Sequence, residues 1–341
     1  MKNYAIIPIF IPHEGCPNAC VFCDQKKITS KDEPAAAGEI AGLIENHLKT
    51  LKGRGIPAIE AAFYGGSFTG IPIERQSEYL EIASFYKKSG MINKIRLSTR
   101  PDYIDEKILL NLKRYDVDTI ELGVQSFDDE VLLKSNRGHK SAVVYESSRM
   151  IKDHGFMLGL QLMIGLPGDT PEKDVYSARE AVKIKPQVAR LYPTIVIEGT
   201  RLHQMYLAGE YTPLTLDESV GRTKMMYEIM FEAGINIIRV GLKSPAAVKG
   251  NANFHPEFRQ LVESEVAKDA MEELLSGQPY SPPGTVRFFS GKKSFSNMIG
   301  HEKSNKIYFA QKYPLYKFTY EIDDSIPDGR YAASYVAAEE P

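Results

Sequence analysis

Three cysteines, Cys16, Cys20 and Cys23, fall within eight residues of one another, and the 341-residue chain has no others. An odd set packed this closely is no disulfide framework, and a reducing compartment would keep the thiols free. Thiolates spaced by three and then two residues can converge on one metal centre and leave one coordination position without a cysteine. Tetrahedral zinc would take His13 or a distant histidine as its fourth ligand. A [4Fe–4S] cluster would bind three irons through the protein and leave the fourth iron open to another ligand. Unconnected buried thiols would have no reason to cluster at this spacing.

The elements that must position this loop read as an alternation of strands and helices. Residues 5–11 form an apolar, strand-like run, and the cysteine loop follows directly. Helical spacing in 34–51 puts Ile40, Leu43, Ile44 and Leu48 on one face. A buried strand at 58–64 ends in Gly65, Gly66 and Ser67. Helix 75–88 and strand 94–98 follow, the strand leading to Arg100 and Pro101. Helix 106–114 precedes strand 119–124, which closes on Gln125 and Ser126. Helix 143–154 precedes strand 157–164, closed by Gly165, Leu166, Pro167 and Gly168. Helix 172–185 leads to 187–197, a strand interrupted at Pro193.

Six strand–helix units at short spacing predict parallel strands with right-handed crossovers. No dinucleotide fingerprint follows the first strand, so the expected architecture is a complete or partial α/β barrel rather than a doubly wound sheet. Barrel chemistry sits on loops at the carboxyl ends of strands. Five such loops carry unusual residues here, and together they point to one site.

Composition agrees with a globular chain: 43% hydrophobic and 25% charged residues, with 42 basic against 44 acidic side chains. That balance of −2 argues neither for nor against nucleic acid. No apolar run reaches the roughly 18 residues of a membrane span. The N-terminal run lacks signal-peptide features, so the expected location is the cytoplasm, without a membrane partner.

Residues 12–23, from Pro12 and His13 through Cys16, Cys20, Phe22 and Cys23, resemble the CxxxCxxC loop of radical S-adenosylmethionine (SAM) enzymes. Further ordered motifs resemble the radical-SAM half of the Elongator catalytic subunit. They are Gly65–Thr69, Ser98–Tyr103, Glu121–Ser126, Asn136–His139 and Tyr192–Thr194. The oxygen-independent coproporphyrinogen oxidases are more distantly similar. The resemblance covers roughly residues 1–240. It implies a partial (β/α)6 TIM-type barrel over 1–240; residues 241–341 are read separately as a C-terminal α+β extension and a candidate substrate-binding part. The Elongator subunit also has a longer cysteine-bearing N-terminal segment and an acetyltransferase domain, neither of which is expected here. The implied unit is therefore the radical-generating core rather than the complete carboxymethylation chemistry.

By this resemblance Cys16, Cys20 and Cys23 bind a [4Fe–4S] cluster, and His13 packs in the loop. SAM, held on the open iron, would be cleaved to a 5′-deoxyadenosyl radical with an electron from a flavodoxin- or ferredoxin-type donor. The protein supplies orientation and exclusion of water. Gly65 and Gly66 would let backbone approach the methionyl ammonium, because glycine has no side chain to clash. Arg137 would fork onto the methionyl carboxylate. Ser98 and Gln125 would bond ribose or carboxylate, and Gly165 with Gly168 would lie against adenine. Phe22, Ser67, Arg100 and Gln161 are further cofactor-side candidates, and Tyr192 would line the radical cavity.

Beyond about residue 241 the pattern changes. Residues 244–257 read as a loop, 258–275 as an acidic amphipathic helix and 276–284 as a turn region. Seven basic residues (Arg287, Lys292, Lys293, Lys303, Lys306, Lys312 and Lys317) then stand against one acid, Glu302, in 286–318. Phe288, Phe289, Phe295, Tyr308, Phe309 and Tyr313 are interleaved. Such a segment suits single-stranded or looped RNA, with tRNA as the substrate, or equally a half-buried β-hairpin with solvated lysines. The tail, 321–341, is expected to fray. A radical enzyme acting on a small molecule or peptide, and a metal-stabilised RNA-binding module, remain the other readings.

Overall fold

A computed structural model of the chain describes residues 4–11, 15–16, 20–24, 36–242, 251–277 and 282–337. The expected packing of His13 falls outside them, as do parts of the predicted 244–257 loop, the 276–284 turn and the last four residues. Two compact units divide the chain: Met1–Ser219 with Ile229–Phe254, and Val220–Glu228 with His255–Pro341.

In the first unit, β1 (Ala5–Phe10), β2 (Ile59–Tyr64), β3 (Lys94–Thr99), β4 (Thr119–Gln125), β5 (Met157–Ile164), β6 (Val188–Pro193) and β7 (Asn236–Val240) form one parallel sheet in sequential order. It is the curled half-barrel of a partial TIM-type fold. The crossovers are α1 (Ala37–Leu51), α2 (Ile73–Lys88), α3 (Glu106–Arg114), α4 (Asp129–Lys134), α5 (Ala142–Asp153), α6 (Pro171–Ile184), α7 (Arg201–Leu207) and α8 (Leu216–Glu232). The seventh strand extends the six expected ones.

Alternation along each strand decides what faces where. Ile7, Ile9, Phe63, Ile95, Leu97, Ile120, Leu122, Leu158, Leu160, Leu162 and Leu191 are all fully buried. Each contributes about 1.5–3 kcal/mol of hydrophobic stabilisation. The intervening positions carry Glu60, Tyr64, Arg96, Ser98, Glu121, Gln161, Arg190 and Tyr192, a polar set on the opposite face. Several of these helices start where a side chain caps the first turn. Asp105 accepts from Ile108 N–H, Asp128 from Val131 N–H, Thr170 from Lys173 N–H and Thr200 from His203 N–H. Pro171 opens α6, where its missing N–H costs nothing.

The second unit holds α9 (Phe258–Ser276), β8 (Gly284–Ser290), α10 (Phe295–Ile299), α11 (Ser304–Lys312), β9 (Tyr316–Ile322) and β10 (Tyr331–Ala337). Its sheet runs β10–β8–β9, with β8 antiparallel to β10 and parallel to β9. The hairpin reading of 286–318 therefore fails: two helices separate β8 from β9, and such a crossover makes parallel neighbours. The tail does not fray throughout either, because 331–337 pairs with β8.

The interleaved aromatics are mostly core. Phe288 and Phe309 are fully buried with Met271, Val286 and Met298, and Phe295, Tyr308 and Tyr313 pack against them. Only Phe289, on the other face of β8, stands apart from this cluster. Lys293 pairs with Asp328 (2.8 Å) and Lys312 with Glu272 (2.9 Å), so part of the basic run is already neutralised.

Candidate active site

The cysteine loop leaves the carboxyl end of β1 and is tied down by backbone on several sides. Val21 N–H donates to Ser135 O (3.2 Å), Leu202 N–H donates to Val21 O (2.7 Å), and Cys23 N–H donates to Cys20 O (3.1 Å). Val21 packs with Leu202 and Tyr211, and Phe22 lies against the same cluster, a packing position. Gly15 adopts φ +70°, and a Cβ there would come within 2.2 Å of Ser67 O, so the loop lies directly on the turn after β2. Only glycine permits that approach.

That turn is held from β3. Ser67 Oγ bonds Thr99 Oγ1 (2.9 Å) and accepts from Arg100 N–H (3.1 Å), while Thr69 Oγ1 lies 2.6 Å from Thr99 Oγ1. Ser67 is thus engaged in joining two loops. Gly65 adopts φ +102°, and Gly66 follows it on a half-buried backbone.

β4 ends in a register shift between Gly123 and Gln125, which places Gln125 at φ +73°. A side-chain-bearing residue there is strained, and such strain gathers at functional sites. The Gln125 Oε1 atom is buried without a hydrogen-bond partner among the described residues, and so is Arg100 Nη1. Arg100 grips Asp102 through Nε (2.9 Å) and Nη2 (2.8 Å) and donates to the carbonyl of Arg137. Arg137 Nη2 donates to Gly123 O, and its Nη1 donates to Cys20 Sγ at 3.1 Å. Both terminal nitrogens of Arg137 therefore face protein partners. Burial and the neighbouring Arg137 cation push His139 down to about 4.

Ser98 and Gln161 meet one another: Gln161 Nε2 donates to Ser98 Oγ and to Glu121 Oε2, each at 3.2 Å. Gly165 O accepts from Tyr211 Oη (2.7 Å), and its N–H donates to Asp169 (2.9 Å). Tyr192 Oη accepts from Arg190 Nη1 (3.3 Å).

Arg190 belongs to a buried charge chain that sequence reasoning did not find. Arg96 Nε bonds Glu60 (2.8 Å) and its Nη1 bonds Glu121; Arg190 Nε lies 2.7 Å from Glu121 Oε2, and Nη2 donates to Tyr64 Oη (2.9 Å). Burial raises the Glu60 carboxyl above its usual range and pushes the Tyr64 phenol up to about 12. Burial alone would lower the Arg96 guanidinium, but Glu121 and Glu60 hold it charged. Gly159 makes the room: a Cβ there would sit 2.7 Å from Glu121 Cγ. The available signal was a charge at an inward alternate position in each of β2, β3, β4 and β6.

None of the three cysteines forms a disulfide. Burial, with the charges of Cys20 and Cys16, pushes the Cys23 thiol up to about 12. Among the described residues they are not closed to ligating distance around one point. As a donor set, three thiols beside a guanidinium suit a thiolate-held iron–sulfur cluster better than a hard cation, which prefers oxygen ligands.

Residues 10–181 match the radical SAM superfamily, and 186–268 match the radical SAM C-terminal domain. A tRNA uridine(34) acetyltransferase of Methanocaldococcus jannaschii is 28% identical over 258 residues, covering 64% of this chain and 48% of the relative. Elongator complex protein 3 of Bos taurus is 27% identical over 267 residues, covering 65% and 49%. The chain thus spans about half the length of the curated relatives it matches. An N-terminally truncated Elongator protein 3 of Methanocaldococcus infernus shares the fold with a TM-score of 0.64 at 23% identity, over 79% of this chain and 64% of that one. Coproporphyrinogen III oxidase of Escherichia coli follows at 0.50 and 16%, over 68% and 53%. No helix among the described residues is long and apolar enough to cross a membrane.

Proposed function

The chain belongs to the radical SAM superfamily, and from that premise we propose that it is a radical SAM enzyme that modifies tRNA. The observation that carries the reading is the cysteine loop seated at the carboxyl end of the sheet, with Arg137 on Cys20 and with buried polar atoms of Gln125 and Arg100 that have no partner among the described residues. Cys16, Cys20 and Cys23 would hold a [4Fe–4S] cluster. When bound, that cluster supplies the electron that splits SAM into methionine and a 5′-deoxyadenosyl radical.

This chain's own residues do the rest. Gln125 Oε1 offers an acceptor to a hydroxyl or ammonium, and Arg100 Nη1 offers a donor to an anionic group. Gly65 and Gly66 leave backbone open to a close polar ligand. Tyr64 and Tyr192, fixed on Arg190, face the polar interior of the sheet and limit water near the radical. A flavodoxin- or ferredoxin-type protein is the proposed electron source. tRNA is favoured as substrate because the relatives named above include a tRNA uridine(34) acetyltransferase.

The test is anaerobic incubation of reconstituted protein with SAM, a reductant and total tRNA, followed by nucleoside mass spectrometry. A SAM-dependent altered nucleoside is expected. Intact nucleosides together with turnover of a small-molecule or peptide pool would move the substrate elsewhere.

A further inference from the structure

We propose that Arg137 sets the reduction potential of the cluster carried by Cys16, Cys20 and Cys23, by donating from Nη1 to the Cys20 sulfur. The inference rests on the reading that this loop holds a [4Fe–4S] cluster. Its own ground is the 3.1 Å contact between a guanidinium and a thiol that are both almost fully buried, Arg137 at 5% and Cys20 at 6% exposure.

The guanidinium is not free to swing away. Nη2 donates to Gly123 O at the end of β4, and the Arg137 N–H donates to Leu132 O (3.0 Å). The Arg137 carbonyl is gripped by Arg100, itself fixed by the two-point contact with Asp102. Its contact on Cys20 is therefore preorganised, and it exists before any cosubstrate arrives.

An arginine in this position is always charged and is weakly screened because water is excluded. Reduction adds an electron to a thiolate-ligated cluster and increases the negative charge on its sulfurs. A hydrogen bond and a positive charge at one sulfur stabilise the reduced form more than the oxidised form. Arg137 thus makes electron uptake easier, and removing it must make reduction harder. This role differs from a fork onto a SAM carboxylate, since it acts on the cluster in the absence of SAM.

The experiment uses the full chain, reconstituted anaerobically without SAM, as wild type, Arg137→Gln and Arg137→Lys. Iron and sulfide are measured first. A wild type that does not retain about four of each would refute the cluster reading, and the inference with it. With cluster present, the readout is an EPR-monitored redox titration. At the wild-type midpoint, Arg137→Gln is expected to show about a tenfold lower ratio of reduced to oxidised cluster, about 59 mV for a one-electron couple. Arg137→Lys keeps the charge but not the fixed fork and should fall in the same direction by a smaller amount. If Arg137→Gln loses its iron, the lysine variant decides. A midpoint unchanged from wild type in the variants that hold cluster overturns the proposal.

Discussion

Replacing Glu121 by glutamine should destabilise the first unit by about 3–5 kcal/mol, because it breaks a buried ion pair from one side only. Glu121 is 1% exposed and receives Arg96, Arg190 and Gln161 at once. Arg96 would keep Glu60 as its counter-charge, so its loss is partial. Arg190, with a side chain only 12% exposed, would keep just the neutral phenols of Tyr64 and Tyr192 and the ring of Tyr64, 5.3 Å from its guanidinium carbon. That residual support places the expected value near the lower end, about 3 kcal/mol. The assay is urea unfolding followed by far-UV circular dichroism, where the midpoint should fall while the slope stays constant. Removing both charges together, as Glu121→Leu with Arg190→Leu, should recover much of the loss, since an apolar pair of similar volume leaves no uncompensated charge. A Glu121→Gln stability within about 1 kcal/mol of wild type, or a double variant as unstable as the single one, would refute the claim that Glu121 neutralises Arg190 within this buried charge chain.

Gly15→Ala should lower iron retention after reconstitution, since φ +70° and a Cβ 2.2 Å from Ser67 O force the cysteine loop off the turn beneath it; wild-type iron content would count against that seating. Thr99→Val removes the hydroxyl that joins Ser67 and Thr69 and should cost about 1–3 kcal/mol, read by thermal or urea unfolding. His139 should stay neutral in the folded chain down to about pH 4. Because its folded value lies below its unfolded one, the unfolded chain takes the proton first, and stability should fall as pH drops from about 6.5 toward 4. An NMR titration of the imidazole checks this, and protonation near pH 6.5 in the native state would contradict it.

Much of the site was legible because its signals are local. Three thiols on one short loop, paired glycines after β2 and Gln125 at the end of β4 each declare themselves within a few residues, and the alternation of strands and helices orders them at one end of a sheet. The Glu60–Arg96–Glu121–Arg190 chain was not legible in that way. Each of its members lies in a different strand, and only the register of β2, β3, β4 and β6 brings them together. Strand β7 follows two helices after β6 and carries just five residues, too few for a distinctive pattern. In the second unit, composition misled for a physical reason. A sheet packed on helices and a surface that stacks bases both need aromatics between polar residues, and burial of Phe288 and Phe309 separates the two only once the strands are paired.

The central claim, that the cysteine loop makes this chain a SAM-cleaving enzyme, is tested most directly by one measurement. Wild type and the variant with Cys16, Cys20 and Cys23 all changed to alanine are reconstituted with iron and sulfide under anaerobic conditions, reduced, and given SAM. Formation of 5′-deoxyadenosine is then followed by liquid chromatography with mass spectrometry. 5′-Deoxyadenosine is expected from the wild type alone. Equal amounts from both proteins, or none from a wild type that has retained its iron and sulfide, would contradict it.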